Sequence, residues 1–529
     1  TEIVIEEGIN SIPAYTFTSY SALQTVTIPN TVTSIGANAF SGCSSLKNIT
    51  IPASVKDGVK EMIMGTGSVV TMPHPENLQF ASGSPYSNVD GVLYKTVEGV
   101  VSAEMLLDRD ATTITIKADT TEIANAAFAN TGLKSVSFAG NNLKKIGRDA
   151  FSNCKNLTSI TLPEGVEEIG AVAFLNCEKL ATLELPSSLT SIGSAAFGGC
   201  DALKELTIPA KVTDGLYEAL SGGQRAESGR YPHLDGVKLA DGSPYSIEGG
   251  VLYKGTTLVY LLDRDAESIE VKAGTTEIAD NALSFTYMGL SNLKSVKFAD
   301  DSLEVIGPSA FFGCAIEDIV LPSNVTAIGE SAFQGCSNLK SVSLPAGVTT
   351  ISKSAFATCT SLETINLENI TEIEAEAFYN CGSLKRVVLS EGLTTIGESA
   401  FDFSTSGNFG YGLEYINIPS TVTSLGDQFA TMTGEGVVVS AVADAGIFTS
   451  TAISGFGKAV LIYPEEYAEA YKNNGALTEA GIVSQEGEDD ITYALSLTPA
   501  SLKLLDVETK TVAVTAAVPE GYKLVMTNS

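Results

Sequence analysis

Along most of this 529-residue chain, short runs alternate apolar and polar side chains and then stop at a proline. Ile160-Thr161-Leu162 before Pro163 is one such run: the alternation predicts a strand with one buried face, and proline ends it by removing a backbone donor. The pattern returns in Leu183-Glu184-Leu185-Pro186 and Val342-Ser343-Leu344-Pro345. Strand cores of this type are predicted from Ile3–Ile5 through Ile416–Ile418, and Val437–Val439 and Val460–Ile462 close the series at seventeen.

The spacing between runs is regular. All eight cysteines lie three residues after a phenylalanine, and Cys154, Cys177 and Cys200 are 23 residues apart, whereas Cys314, Cys336, Cys359 and Cys381 are 22, 23 and 22 apart. One unit therefore recurs about every 23 residues, and AFSNCKNLTSITLPEGVEEIG, residues 150–170, is one copy. Each copy is expected to supply one strand, a glycine turn, and a single helical or 3-10 turn spanning Ala-Phe-x-x-Cys. So small a unit cannot bury itself. Stacking aligns Leu157, Ile160, Leu162, Ile169, Phe174 and Cys177 with their equivalents in neighbouring coils, which predicts a solenoid. At ~4.8 Å per rung, seventeen rungs would span on the order of 80 Å.

Three features interrupt this rhythm. GSPYSNVDGVLYK at 83–95 recurs as GSPYSIEGGVLYK at 242–254, and LLDRD at 106–110 recurs at 261–265, which predicts two equivalent β-hairpin insertions near 52–110 and 209–265 that interrupt the ladder. The step from Phe401 to Leu413 is twelve residues, where Phe151 to Leu157 is six, so a loop carrying Phe403, Phe409 and Tyr411 must leave the coil. SFTYMGLS places Phe285 and Tyr287 before Leu293 in a similar setting. These five aromatics are the ligand-binding candidates, with packing over the coil edge as the alternative. Finally, an acidic linker at 484–492 leads to alternating short runs at 493–529.

With those residues in view, the repeat resembles the BspA-type leucine-rich repeats of bacterial surface proteins over roughly Thr1 to Gly481. The resemblance implies a right-handed, curved β/α solenoid over 1–483 with a parallel β-sheet. It also implies a C-terminal closing unit near 437–483, where AVLIYPEEYAEAYKNNGA leads a last strand through Pro464 into a short helix. Residues 493–529 resemble the first strands of a bacterial Ig-like domain, too short for a complete sandwich. Such proteins are associated with adhesion to matrix proteins, other bacteria or glycans, which implies an extracellular location.

Charge narrows the partners. Thirty-one Lys and Arg against 62 Asp and Glu leave a formal charge of −31, which opposes nucleic acid and anionic lipid surfaces. No run approaches a membrane span, and no signal or anchor segment is recognised in this chain. The expected partner is a protein or glycan ligand, with no nucleic acid, no direct membrane insertion and no cofactor; the oligomeric state is left open.

Catalytic constellations are sparse. Stacked cysteines suit buried, reduced core thiols: their directions oppose a disulfide and a line cannot surround zinc, and in the first copy Tyr20 stands in the cysteine place. His74 and His233 occupy equivalent places in the two insertions and read as loop residues rather than ligands or catalysts. Asp108-Arg109-Asp110 and Asp263-Arg264-Asp265 imitate a carboxylate pair but read as solvated turns with a local ion pair. Beside each strand core, Thr25, Thr27, Thr50, Ser137, Ser159, Thr161, Thr182, Ser341, Ser343, Thr364 and their equivalents form a flat hydroxyl surface. Such residues favour strands and solubility, and they would equally suit a broad binding face. The favoured function is a non-enzymatic surface interaction protein, an adhesin; the alternative is a glycan-handling enzyme or its accessory module.

Overall fold

A computed structural model describes residues 1–64, 77–220, 236–263, 265–284, 292–403, 412–457, 459–480, 482 and 522–524. The chain divides into two units, Thr1–Ser246 and Ile247–Ser529. Each is a parallel-strand β-solenoid with a few short helices.

The alternating runs form strands as expected. Ser159–Thr161 pairs in parallel with Thr182–Glu184, placing Ile160 against Leu183 on the buried side. We call this series the long-strand ladder. The expectation of one strand per copy is corrected: each regular coil also contributes a two-residue strand at its Ile-Gly step. Glu168–Ile169, for instance, pairs with Lys145–Ile146 and Ser191–Ile192 in a second parallel ladder. Two residues carry no readable alternation, so periodicity misses them. At this step the coils nearly touch: a Cβ on Gly193 would lie 2.3 Å from the Ala171 nitrogen.

Between the ladders, Ala-Phe-x-x-Cys folds as a succession of i→i+3 turns. Cys154 N–H donates to Phe151 O and Leu157 N–H to Cys154 O, while Asn153 adopts φ 59°, a region asparagine tolerates. The turns point phenylalanine and cysteine inward. Phe128, Phe151, Phe174 and Phe197 form one stack in the first unit, and Phe311, Phe333, Phe356, Phe378 and Phe401 another in the second, with centroid spacings from 4.9 to 6.2 Å.

The insertions feed strands to both ladders, and at each of them the ladders break between separate sheets, as the sequence suggested. In the first, Leu78–Phe80 pairs in parallel with Asn48–Ile51, and after an antiparallel meander Val100–Leu106 pairs in parallel with Glu122–Ile123. In the second, Gly236–Leu239 extends Glu205–Ile208, and Thr257–Leu261 extends Glu277–Ile278. The duplicated tyrosines fix these additions. Tyr94 Oη accepts the Lys117 N–H at 3.2 Å and Tyr253 Oη accepts the Lys272 N–H at 3.1 Å, with each lysine ammonium over its tyrosine ring. Tyr94→Phe and Tyr253→Phe are each expected to lower stability by about 1 kcal/mol in urea unfolding. A loss at one site without the other would show that the two insertions are not held alike.

At the C-terminal end, Met432–Ser440 and Val460–Pro464 complete the long-strand ladder. Tyr463 stacks on Tyr471 at 4.5 Å, and the Tyr471 hydroxyl bonds Ser440 Oγ and Val442 O. Helices Ala468–Lys472 and Gly475–Glu479 lie after the strand, where the closing unit was expected, and Asn474 caps the second through Leu477 N–H. Tyr522–Leu524 pairs antiparallel with Val460–Pro464. The rest of the acidic linker and Ig-like segment lies outside the described residues.

Candidate interaction face

Alternation places every second side chain of the long-strand ladder outside, and pleating spaces those positions regularly. In the first unit Thr27, Thr50, Ser137, Ser159, Thr161 and Thr182 are exposed, and Thr115 and Ser137 hydroxyls bond at 2.8 Å across adjacent coils. Ser341, Ser343 and Thr364 are exposed in the second. The hydroxyl surface read from the sequence is therefore largely present, although Thr25 and Ser135 are half-buried. Asn366 spends its amide on the backbone of Leu344, accepting from N–H and donating to O, and Asn417 holds Leu389 in the same way.

Shallow depressions mark this face. One of about 230 Å³ lies over Thr25, Thr27, Asn48 and Thr50, one of about 380 Å³ over Ser341, Ser343, Thr364 and Asn366, and one of about 540 Å³ beside Lys297, Asp300, Asp318 and Val320. The acidic look of the last is partly structural: Asp300 accepts the N–H groups of Gly274 and Ser302, and Asp301 that of Ser323. One rung beyond the hydroxyl depression the outward pair changes character. Arg386 and Tyr415 are register partners, and the guanidinium carbon sits 3.9 Å from the ring centroid. The sequence reading missed this pair, although aligning copies would have exposed arginine and tyrosine at a position held in most other copies by serine or threonine.

Along the strand starts of the second unit runs a row of opposite charges. Glu267, Lys294, Glu317, Lys340, Glu363, Lys385 and Glu414 occupy one position of successive coils. Lys294 meets Glu267 at 3.2 Å and Lys340 meets Glu317 at 3.8 Å.

Of the five aromatic candidates, Phe403 is fully buried in the core of the second unit and offers no surface to a ligand; its neighbour Asp402 holds Gln428 and Thr431. Phe409, Tyr411, Phe285 and Tyr287 lie outside the described residues, as do His74 and His233. Tyr20 does not replace cysteine inside the first coil: it is 55% exposed.

The duplicated acidic turns are structural. Asp108 accepts the Asp110 N–H and Asp263 that of Asp265, both at 3.1 Å. The expected local ion pair is corrected for Arg109, whose guanidinium reaches Asn130 O at 3.1 Å and so ties the turn to the next coil. The thiols are buried and free. Each Sγ donates to a carbonyl of an earlier coil, Cys177 to Phe151 O and Cys359 to Phe333 O, and burial pushes the Cys154 thiol up to about 12. Among the described residues no acidic, histidine and cysteine side chains group as a metal site, and no helix is long and apolar enough to cross a membrane.

The model of the BspA type leucine rich repeat region matches residues 1–91, 103–223 and 276–408, in six copies and over more than half of the chain. No curated protein matches it. Among solved structures, the pneumococcal vaccine antigen PcpA is similar at 19% identity and TM-score 0.45, over 71% of this chain and 98% of its own. A leucine rich cell surface protein of Faecalibacterium prausnitzii is similar at 23% identity and TM-score 0.33, over 77% and 86%. A leucine-rich repeat protein of Eubacterium ventriosum is similar at 21% identity and TM-score 0.43, over 65% and 93%.

Proposed function

The chain belongs to the BspA-type leucine-rich repeat family, and from that premise we propose that it is a non-enzymatic interaction protein of the bacterial cell surface. In this reading it is an adhesin that holds a matrix protein, a bacterial partner or a glycan. The observation that carries the reading is the exposed row of small polar side chains on the long-strand ladder. Each is fixed by a strand whose other face is core, so the row is preorganised and little ordering entropy is lost on binding. Cell-surface residence suits a partner met outside the cell and accords with the family.

The full chain should bind at least one component of a combined glycan and matrix-protein array. Ser159→Arg together with Ser343→Arg should abolish that binding while the melting temperature stays within about 2 °C, since both side chains are exposed. Binding that survives both changes would move the site off this face. The enzyme alternative draws no support from the acidic turns, whose carboxylates hold their own backbones. Turnover of a polysaccharide that disappears in Asp108→Asn or Asp263→Asn would reverse the ranking.

A further inference from the structure

We propose that Arg386 and Tyr415 form a subsite for a carboxylate-bearing sugar at the edge of the outward strip in the second unit, an inference that rests on the binding-face reading above. Register brings the two together from 29 residues apart, and the guanidinium lies 3.9 Å from the ring centroid. Arg386 is exposed and Tyr415 half-buried. A guanidinium stacked on a ring keeps its N–H edges for acceptors in its own plane, and a carboxylate meets that fork with two parallel bonds. The ring therefore orients the cation before any ligand arrives.

The surroundings favour a sugar over a protein. Phe356 and Phe378 stack at 5.6 Å, so the coil bearing Thr364 is the neighbour of the one bearing Arg386. Thr364, Ser341 and Ser343 line the depression of about 380 Å³, at the lower end of the ~300–1,000 Å³ usual for small-ligand sites. Hydroxyls on a rigid floor can both donate to and accept from a polyhydroxylated ring. A protein partner would need roughly 800 Å² with an apolar centre. Here the exposed aliphatics Val320 and Val388 are kept apart by the intervening rungs of Ser343 and Asn366.

Net charge limits the ligand further. At −31 the chain repels a densely charged polymer, whereas one carboxylate is governed by the arginine it touches once charges beyond ~8 Å are screened. The fitting ligand is an oligosaccharide with a single acidic sugar.

Titration calorimetry on the full chain with sialyllactose, lactose and a heparin oligosaccharide tests this. Wild type should bind sialyllactose and neither of the others. Arg386→Ala should weaken binding about tenfold or more, Arg386→Lys should restore it only in part, and Tyr415→Phe should preserve it because the ring remains. Unchanged melting temperatures would exclude misfolding as the cause. The proposal is overturned if wild type does not bind sialyllactose, if lactose or heparin binds equally well, or if Arg386→Ala binds sialyllactose as wild type does. A matrix protein or neutral glycan bound by wild type and by Arg386→Ala, but lost in the Ser159→Arg and Ser343→Arg protein, would remove the subsite and leave the binding face standing.

Discussion

Phe174→Ala is expected to lower stability by ~3–5 kcal/mol, among the largest effects available to one substitution here. The ring is fully buried, stacked at 5.3 Å and 5° on Phe151 and at 6.2 Å and 19° on Phe197. Its removal leaves a cavity bounded on both sides by rings that their own coils hold in place, so collapse is poor. In a solenoid the loss falls on the interfaces between neighbouring coils, and stability is approximately a sum of such terms. Urea unfolding of the variant should therefore show a lower midpoint and a broadened or split transition. A change below about 1 kcal/mol would mean that the stack contributes little.

The second large effect is alkaline destabilisation. Cys154, Cys177, Cys336, Cys359 and Cys381 have their thiols pushed up from an ordinary value near 9.0. Burial is the main cause, except at Cys177, where the neighbouring Cys200 contributes most and burial adds to it. Below pH 9 folded and unfolded chains both keep these protons, and the thiols give stability no pH dependence. Above it the unfolded chain releases protons that the folded chain retains, so unfolding becomes easier as pH rises, for Cys154 until about 12. The expected loss is on the order of 1 kcal/mol per thiol per pH unit. Urea midpoints should be level to pH 8.5 and fall steeply by pH 10, and Cys154→Ser with Cys177→Ser should flatten part of the fall, since serine keeps a donor without titrating in this range. Thiol reagents at pH 8 should count almost no groups in the native protein and eight in denaturant. Midpoints that do not move, or rapid native labelling, would contradict the buried columns.

The main architecture was legible because one apolar phrase repeats with a fixed phase: Ile160, Phe174 and Cys177 are where the 23-residue spacing puts them. What escaped was whatever depends on coil-to-coil register. The Ile-Gly strands are too short for periodicity, and the strands that the insertions add to each ladder, such as the one pairing Ser102 with Glu122, cannot be seen along the chain. Cysteine read as a small apolar residue, whereas its Sγ adds a second hydrogen bond to a buried carbonyl that already accepts a backbone N–H. In the candidate site the hydroxyl strip was legible from alternation alone. Arg386 and Tyr415 stand just before the aligned strand cores at Val387 and Ile416, but the approach of guanidinium to ring depends on side-chain placement that alignment does not show. Phe403 looked like a loop aromatic from its glycine- and serine-rich context, and its burial depends on the core of the second unit beneath it.

The row of alternating glutamates and lysines along the second unit has a consequence for how this array can change length. Lys294 and Glu267 are 51% and 70% exposed, so each pair adds little to stability. As a sequence of signs, however, the row carries parity. Removing the single coil that bears Lys340 would set Glu317 beside Glu363, and each such junction of like charges works against stacking. Removing two consecutive coils restores the alternation. Duplication or deletion of an even number of coils therefore preserves the row, and a copy shifted by one coil meets its own sign.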